Sequence, residues 1–375
     1  MNLVRLNCLN YRNIEECDIE LSPKFNCFLG NNGVGKTNLI DAVYFMSLTK
    51  SHLNSVDAQL VRHGESFLML QGEYDNDGKS EIIQATVKPH VRKILKRNGK
   101  IYNRMSDHIG LIPVVLISPV DQQMITDGSE ERRRFMDTVI SQCDARYLNS
   151  LTRYNSVLKN RNDLLKKLSD GIMTDEADPL LDIFDCQMSD EAKYIYKKRY
   201  EFIDEFIPFF DKIYQDICSE REQVELKYTS HCENGELTAL LRECRNRDIA
   251  VGYTTRGIHK DDLIMNIEGF PIKTTGSQGQ NKTFVTAMKL AQYLYLSKCR
   301  GVKPILLLDD VFDRLDSNRV INIIRIVSSD EFGQIFITDT SRNHTDNLLA
   351  HTVNTPFRVF NVNDGKVTSC SETSL

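Results

Sequence analysis

The octapeptide Gly30-Asn31-Asn32-Gly33-Val34-Gly35-Lys36-Thr37 constrains this chain more than any other stretch. It fits G-x-x-x-x-G-K-[ST], a phosphate-binding loop that needs a strand before it and a helix after it. Both flanks read that way. Residues 25–29 form a short apolar run of strand character, and residues 38–48 place Leu39, Ile40, Val43, Phe45 and Met46 near one face of a helix. The glycines let the backbone turn tightly and bring N–H groups against phosphate oxygens. The N-terminus of the helix adds partial positive charge at the same place. Lys36 can then reach β- and γ-phosphates, and the Thr37 hydroxyl can ligate Mg²⁺. Residues 30–38, Asn38 included, are the expected cradle for ATP and Mg²⁺.

Three further motifs divide the remaining chemistry. Ile305 to Leu308 is an apolar strand that delivers Asp309 and Asp310 to its end, a Walker B pattern. Asp309 can hold Mg²⁺ directly or through water, and Asp310 can orient or polarise the attacking water. Ser277-Gln278-Gly279-Gln280 stands just before a helix expected over residues 281–298, shortly ahead of that strand. That is the arrangement of an ABC-type signature loop, where a hydroxyl and glycine N–H groups at a helix N-terminus meet a γ-phosphate. In an ABC head the signature and the P-loop lie too far apart to share a nucleotide within one chain. The arrangement therefore implies a head-to-tail dimer, with Ser277, Gly279 and Gln280 acting on the partner's ATP. Asp316 matches the D-loop that crosses such an interface. Thr338 ends another buried strand and falls where ABC proteins place a γ-phosphate sensor, usually histidine.

Composition narrows the class. The 375 residues suffice for two or three lobes, and 41% hydrophobic content provides ample core. A net charge of -5 means that any nucleic-acid surface must be a local basic face. No apolar run approaches the ~18 residues of a membrane span, and the N-terminus lacks a charged-then-apolar leader pattern. The ten cysteines include no C-x-x-C pair and read as reduced core thiols of a cytoplasmic protein.

Taken in order, residues 1–30 read as a small sheet entering the P-loop, with a turn at Asn10-Tyr11-Arg12-Asn13. Arg12 either sits near the nucleotide or lies on a surface turn. Strands follow at 67–74, 81–88 and 92–101, the last bent by Asn98-Gly99, a tight hairpin signal. Arg92, Lys93, Lys96, Arg97 and Lys100 form the densest basic run, suited to phosphate-backbone contact or to a solvated edge protected by lysines. Residues 111–117 read as a central strand. Arg132-Arg133-Arg134 point around a helix and cannot all serve one ligand. Between 151 and 251 long helical patterns dominate, at 151–168 and 189–218. Lys159 and Arg161 on the first helix are candidate duplex contacts. A strand pair around Asp364-Gly365 closes the chain. The expected fold is α/β: an ABC-type P-loop head, a mixed sheet with flanking helices, carrying an inserted helical arm lobe. The lobes are expected at 1–147, 148–250 for the arm, and 251–375 for the rest of the head.

Together these stretches resemble the RecF family, bacterial DNA-repair ATPases related to SMC proteins. The resemblance rests on residues 10–13, 30–38, Ser51-His52, Ser118-Pro119 with Asp121, 132–137, 257–263, 277–280 with Lys289-Leu290-Ala291, 308–316 and Ile337-Thr338. Two departures stand out. The family's Gly-Pro-His-Arg-Asp-Asp is Gly257-Ile258-His259-Lys260-Asp261-Asp262 here, and its arginine after Ser-His is Leu53. Lys260 keeps the charge but loses bidentate geometry. The resemblance implies ATP-driven homodimerisation on duplex DNA near single-strand gaps, with single-stranded DNA a further ligand. It also implies slow, DNA-stimulated hydrolysis that releases DNA, and work with RecR, and indirectly RecO and RecA, in replication, repair and SOS induction. Asp310 and Thr338 in place of glutamate and histidine agree with slow turnover.

Three other readings compete. A transport-type ABC ATPase would separate P-loop and signature far less than Thr37 and Ser277 are separated here. A GTPase needs Asn-Lys-x-Asp, which Asn281-Lys282-Thr283-Phe284 lacks. A nuclease-coupled SMC-like ATPase would carry a further carboxylate cluster or metal-ligand spacing in the tail.

Overall fold

The computed structural model describes residues 1–172, 178–218, 222–233, 235–311, 317–340 and 356–372. The chain forms two compact units. The first comprises Met1–Asp121, Lys212–Glu220 and Gln278–Leu375, and the second comprises Gln122–Asp211 and Arg221–Ser277. The second unit thus starts before residue 148 and ends after residue 250.

In the first unit two six-stranded sheets share one core. The outer sheet is antiparallel, in the order Ile14–Glu20, Asn2–Tyr11, Leu68–Asn76, Lys79–Val87, Ile94–Arg97, Lys100–Ile101. Its alternating pattern, for example Leu6 and Cys8 inward with Arg5 outward, buries one face only. The Asn98-Gly99 turn forms as the sequence predicts, with both residues at positive φ (48° and 79°), the requirement of a two-residue hairpin that follows strand twist. The central sheet runs Lys366–Glu372, Phe357–Asn363, Phe25–Leu29, Ile335–Asp339, Ile305–Asp309, Val114–Ile117. Every pairing in it but the terminal one between Lys366–Glu372 and Phe357–Asn363 is parallel. Strands such as Ile305–Asp309 are buried along their whole length, which is why they read as unbroken apolar runs rather than alternation.

The helix Lys36–Leu48 lies in the core that the two sheets share. Its buried residues include Leu39, Ile40, Val43, Phe45 and Met46, and also Asp41 and Ser47. It is therefore covered nearly all round, not on one face alone. The terminal pair Phe357–Asn363 and Lys366–Glu372 forms at Asp364-Gly365 as expected, and Phe357–Asn363 pairs in parallel with the strand that enters the P-loop. The helix Gln278–Arg300 packs on strand Val114–Ile117.

The second unit combines helices Ser129–Cys143, Ala145–Ser169 and most of Asp178–Ile217 with a three-stranded antiparallel sheet. The strand Val224–Thr229, within the stretch where helical patterns dominate, pairs antiparallel with Asp262–Ile267. Phe135 packs against Phe202 and Phe206. The three tandem arginines diverge as their helical phase requires: Arg132 to Asp262, Arg133 to the Asp261 carbonyl, Arg134 to Glu130 and Glu131. The nine cysteines with described side chains are free thiols. Among the described residues no helix is long and apolar enough to cross a membrane.

Candidate nucleotide site

The strand Phe25–Leu29 ends at the glycine loop, and the helix starts at Lys36 with Gly35 at φ 113°. A β-carbon at Gly35 would lie 2.7 Å from the Asn13 side chain, so only glycine closes this turn. Asn13 staples the loop from outside. It donates to the Val34 carbonyl at 3.0 Å and accepts from Asn38 Nδ2 at 2.7 Å. From the C-terminal hairpin, the Val362 carbonyl lies 2.3 Å from where a Gly30 β-carbon would stand, and the Gly365 N–H donates to the Val34 carbonyl. Asn31, Asn32 and Gly33 are exposed at the loop's tip. Lys36 is buried, and its ammonium donates to the Gly30 and Asn31 carbonyls at 2.8 and 2.9 Å.

Asp309 joins the P-loop to the core strands. Its Oδ1 accepts from Thr37 Oγ1 at 2.9 Å and from Thr338 Oγ1 at 2.7 Å. Burial raises its carboxyl above the usual value of 3.8, against the opposing hydrogen bonds from Thr338 and Thr37. A cation at this position restores the charged form. Asp310, half-buried, sits at φ 47°, a conformation rare outside glycine, and its N–H donates to Thr338 Oγ1 at 3.1 Å. Thr338 is fully buried with its hydroxyl committed to Asp309 and Asp310. The residue expected as a γ-phosphate sensor thus contacts both aspartates of the strand end.

The turn bearing Arg12 rests on the segment after the helix: Arg12 N–H donates to the Leu60 carbonyl, and Arg62 N–H to the Asn10 carbonyl. Arg12 Nη1 is buried with no hydrogen-bond partner, a donor that suits an anionic ligand. The P-loop site thus fits a triphosphate and one Mg²⁺: a loop in which Gly30 and Gly35 leave no room for a β-carbon, a buried ammonium, and a hydroxyl–carboxylate pair. Mg²⁺ characteristically takes one or two protein ligands and completes its shell with phosphate and water.

On the signature side, Ser277 is exposed and directly precedes the helix Gln278–Arg300, which holds Gly279 and Gln280 in its first turn. Arg319 Nη1 lies 2.8 Å from where a Gly279 β-carbon would stand. Asp316 lies outside the described residues.

The basic residues separate into two groups. Lys93 bonds Asp57 at 2.8 Å and the Thr49 carbonyl, Arg97 makes a bidentate pair with Glu81, and Arg92 donates to the Asn103 carbonyl. Lys100 is exposed, Lys96 half-exposed, and Lys159 exposed. Arg161 corrects the sequence expectation. It is fully buried, bonded to Asp185 and Asp248 at 2.7 and 2.8 Å and to Thr254, so its guanidinium does not reach a surface ligand. The variant motif 257–262 is also anchored inside the second unit. His259 meets Tyr154 at 2.8 Å, Asp261 accepts from Arg199 at 2.7 Å, and Lys260 lies over the Tyr253 ring.

Sequence reasoning passed over Asn13 and Arg319 as site residues. Asn13 stood within the quoted turn motif. Arg319 follows the D-loop position at helix spacing but carries no local signal of its target.

The family described as RecF/RecN/SMC N terminal domain matches residues 2–368. The chain is 49% identical over 374 residues to the "DNA replication and repair protein RecF" of Phocaeicola vulgatus, covering 99% of each protein. Among solved structures it resembles the recombination mediator protein RecF-ATPrS of the RecFOR pathway, with TM-score 0.87, 29% identity and 98% of each chain covered. It shares the fold of the Smc head domain of Pyrococcus furiosus, with TM-score 0.57 and 16% identity over 99% of this chain and 96% of that one. The fold is therefore the ABC-type head with a helical insert, and with the family match and this identity running along nearly its full length, the chain belongs to the RecF family.

Proposed function

We propose that the protein is an ATP-dependent DNA-binding switch of recombinational repair. ATP and Mg²⁺ occupy the P-loop, a second copy closes head to tail through Ser277, Gly279 and the D-loop around Asp316, and the closed dimer holds duplex DNA near single-strand gaps. Hydrolysis is slow, stimulated by DNA, and opens the dimer. RecR joins the complex, with RecO and RecA acting downstream. The observation that carries this reading is the shared acceptor at Asp309, which unites the P-loop hydroxyl of Thr37 with the strand end that carries Asp310. The RecF structures with ATP and ATPrS support it.

In this reading Lys36 and Arg12 balance phosphate charge, and Thr37 and Asp309 hold Mg²⁺, which neutralises charge developing on the phosphates. Asp310, turned out of the strand by its φ of 47°, orients the attacking water and takes up its proton. Lys96, Lys100 and Lys159 remain as DNA contacts. Arg92, Lys93 and Arg97 serve chiefly to hold the hairpin.

The test is the mass of the protein in solution with and without ATP·Mg²⁺ and gapped duplex DNA, alongside Ser277→Arg and Lys36→Ala. The expected result is a monomer that dimerises and retains DNA only with ATP, and fails to do so in both variants. Equal DNA binding by a monomer without ATP would end the clamp reading.

A further inference from the structure

Inside the first unit a line of buried and half-buried polar groups runs from the P-loop helix to the signature helix. It begins at Asp41, fully buried in the middle of Lys36–Leu48. This carboxylate accepts from the Tyr11 hydroxyl at 2.6 Å, the Ser51 hydroxyl at 2.6 Å and the His52 backbone N–H at 2.8 Å. The His52 ring packs edge-on against Tyr44 of the same helix, and its Nε2 lies 3.0 Å from Ser118 Oγ. Ser118 stands just past the strand Val114–Ile117, and its N–H donates to Asp121 Oδ2 at 2.7 Å. Asp121 Oδ1 meets Lys289 Nζ at 2.7 Å, with the two side chains 7% and 13% exposed. Lys289 belongs to the helix Gln278–Arg300, which opens with the signature residues.

The choice of groups is informative. A buried ion pair is a poor stability device, because desolvation offsets most of the attraction and an apolar pair of similar volume serves as well. What it supplies is orientation: a charge that must meet its partner fixes one helix position and excludes its neighbours. Here the fixed helix carries the surface meant for a second copy, and the other end of the line is the helix that follows the ATP loop. We infer that His52, Ser118, Asp121 and Lys289 are positioning residues that lock the signature helix to the P-loop helix, so that nucleotide bound at one subunit's P-loop sets the signature surface it offers to the other copy. This rests on the ATP-dependent dimer proposed above.

The experiment uses the full chain in two arms. In the first, hydrogen exchange of residues 278–300 is followed with and without ATP·Mg²⁺ in a Ser277→Arg background, where dimers do not form. ATP should protect this helix, and adding Lys289→Met or Asp121→Asn should erase the protection while monomer ATP affinity stays within about twofold. In the second arm, Lys289→Met and Asp121→Asn should each weaken ATP-dependent dimerisation by about 5–150-fold, and the double variant should be no worse than either single one. Ser118→Ala, a small change at a different link, should move in the same direction and guards against a misfolded lysine variant. ATP protection of 278–300 that survives all three substitutions overturns the inference, as do single effects that simply add. A wild-type chain that never dimerises with ATP rejects the dimer reading instead, and the first arm reports on the relay by itself.

Discussion

Thr37 and Thr338 meet through a single atom: both hydroxyls donate to Oδ1 of Asp309, one from the P-loop and one from the neighbouring parallel strand. Thr338 also receives the Asp310 N–H, so one buried hydroxyl holds both aspartates in register. Thr338→Val keeps the shape and removes the hydroxyl. Leaving a buried partner unsatisfied costs about 1–3 kcal/mol. If that loss falls on the geometry of Asp309 and Asp310, steady-state turnover drops by about 5–150-fold while equilibrium ATP binding changes little. A large loss of affinity with unchanged turnover would mean that Thr338 contacts nucleotide after all.

Stability should fall in mild acid for a reason unconnected with ATP. His108 and His259 are buried, and desolvation depresses each to about 4, from an ordinary 6.5. The unfolded chain therefore binds protons between pH 6.5 and 4 that the folded chain refuses. The stabilisation is complete above 6.5 and is lost as pH falls through this window. At pH 5 the loss is on the order of 2 kcal/mol for each histidine. Denaturant midpoints at pH 7.5 and pH 5 measure it. His108→Phe should flatten the profile of the first unit, and an unchanged profile would show that His108 is protonated in place.

Arg161 and Lys159 sit two residues apart on one helix and should behave oppositely. Arg161→Met leaves buried Asp248 without its cation and Asp185 with Arg245 alone, and breaking such a network from one side costs about 3–5 kcal/mol. Lys159→Ala should leave the unfolding midpoint unchanged. If Lys159 touches a DNA phosphate, the substitution lowers the slope of log affinity against log salt by about one. Melting curves and a salt titration on the same preparations separate the two.

The sequence states the local chemistry plainly and the long-range geometry hardly at all. Asn98-Gly99 and Asp364-Gly365 announce their turns because positive φ restricts the residues that can occupy them. The P-loop announces its flanks because the chemistry requires them. By contrast, the pairing of Phe357–Asn363 with Phe25–Leu29 joins strands from opposite ends of the chain, and parallel pairing leaves no mark at either partner. Arg161 was readable in principle. Tyr147, Tyr154 and Arg161 recur every seven residues, and all three are buried, so the arginine lies on the apolar stripe of its helix. Arg199 follows the same rule between Ile195 and Phe202. Charge suggested the surface, and helical phase gave the correct answer.

Two glycines of the proposed dimer site should respond differently to the same methyl group. At Gly35 an added β-carbon would need φ 113° and would meet the Asn13 side chain at 2.7 Å, while Asn13 is itself held by Val34 and Asn38. Nothing there can move without opening the P-loop, so Gly35→Ala should abolish ATP binding by the monomer. Gly279 has ordinary helical backbone, and its obstacle is the far end of the Arg319 side chain at 2.8 Å, which can swing aside. Alanine is the better helix former by about 1 kcal/mol, so Gly279→Ala should fold with an equal or slightly higher melting temperature and bind ATP normally. The methyl group and the displaced guanidinium would then stand on the surface meant for the second copy, and ATP-dependent dimerisation should fall at least tenfold (about 1.4 kcal/mol). Titration with a fluorescent ATP analogue and sedimentation with ATP·Mg²⁺ test both variants. Normal dimerisation of Gly279→Ala would remove the signature turn from the interface, and ATP binding by Gly35→Ala would remove the glycine loop from the nucleotide site.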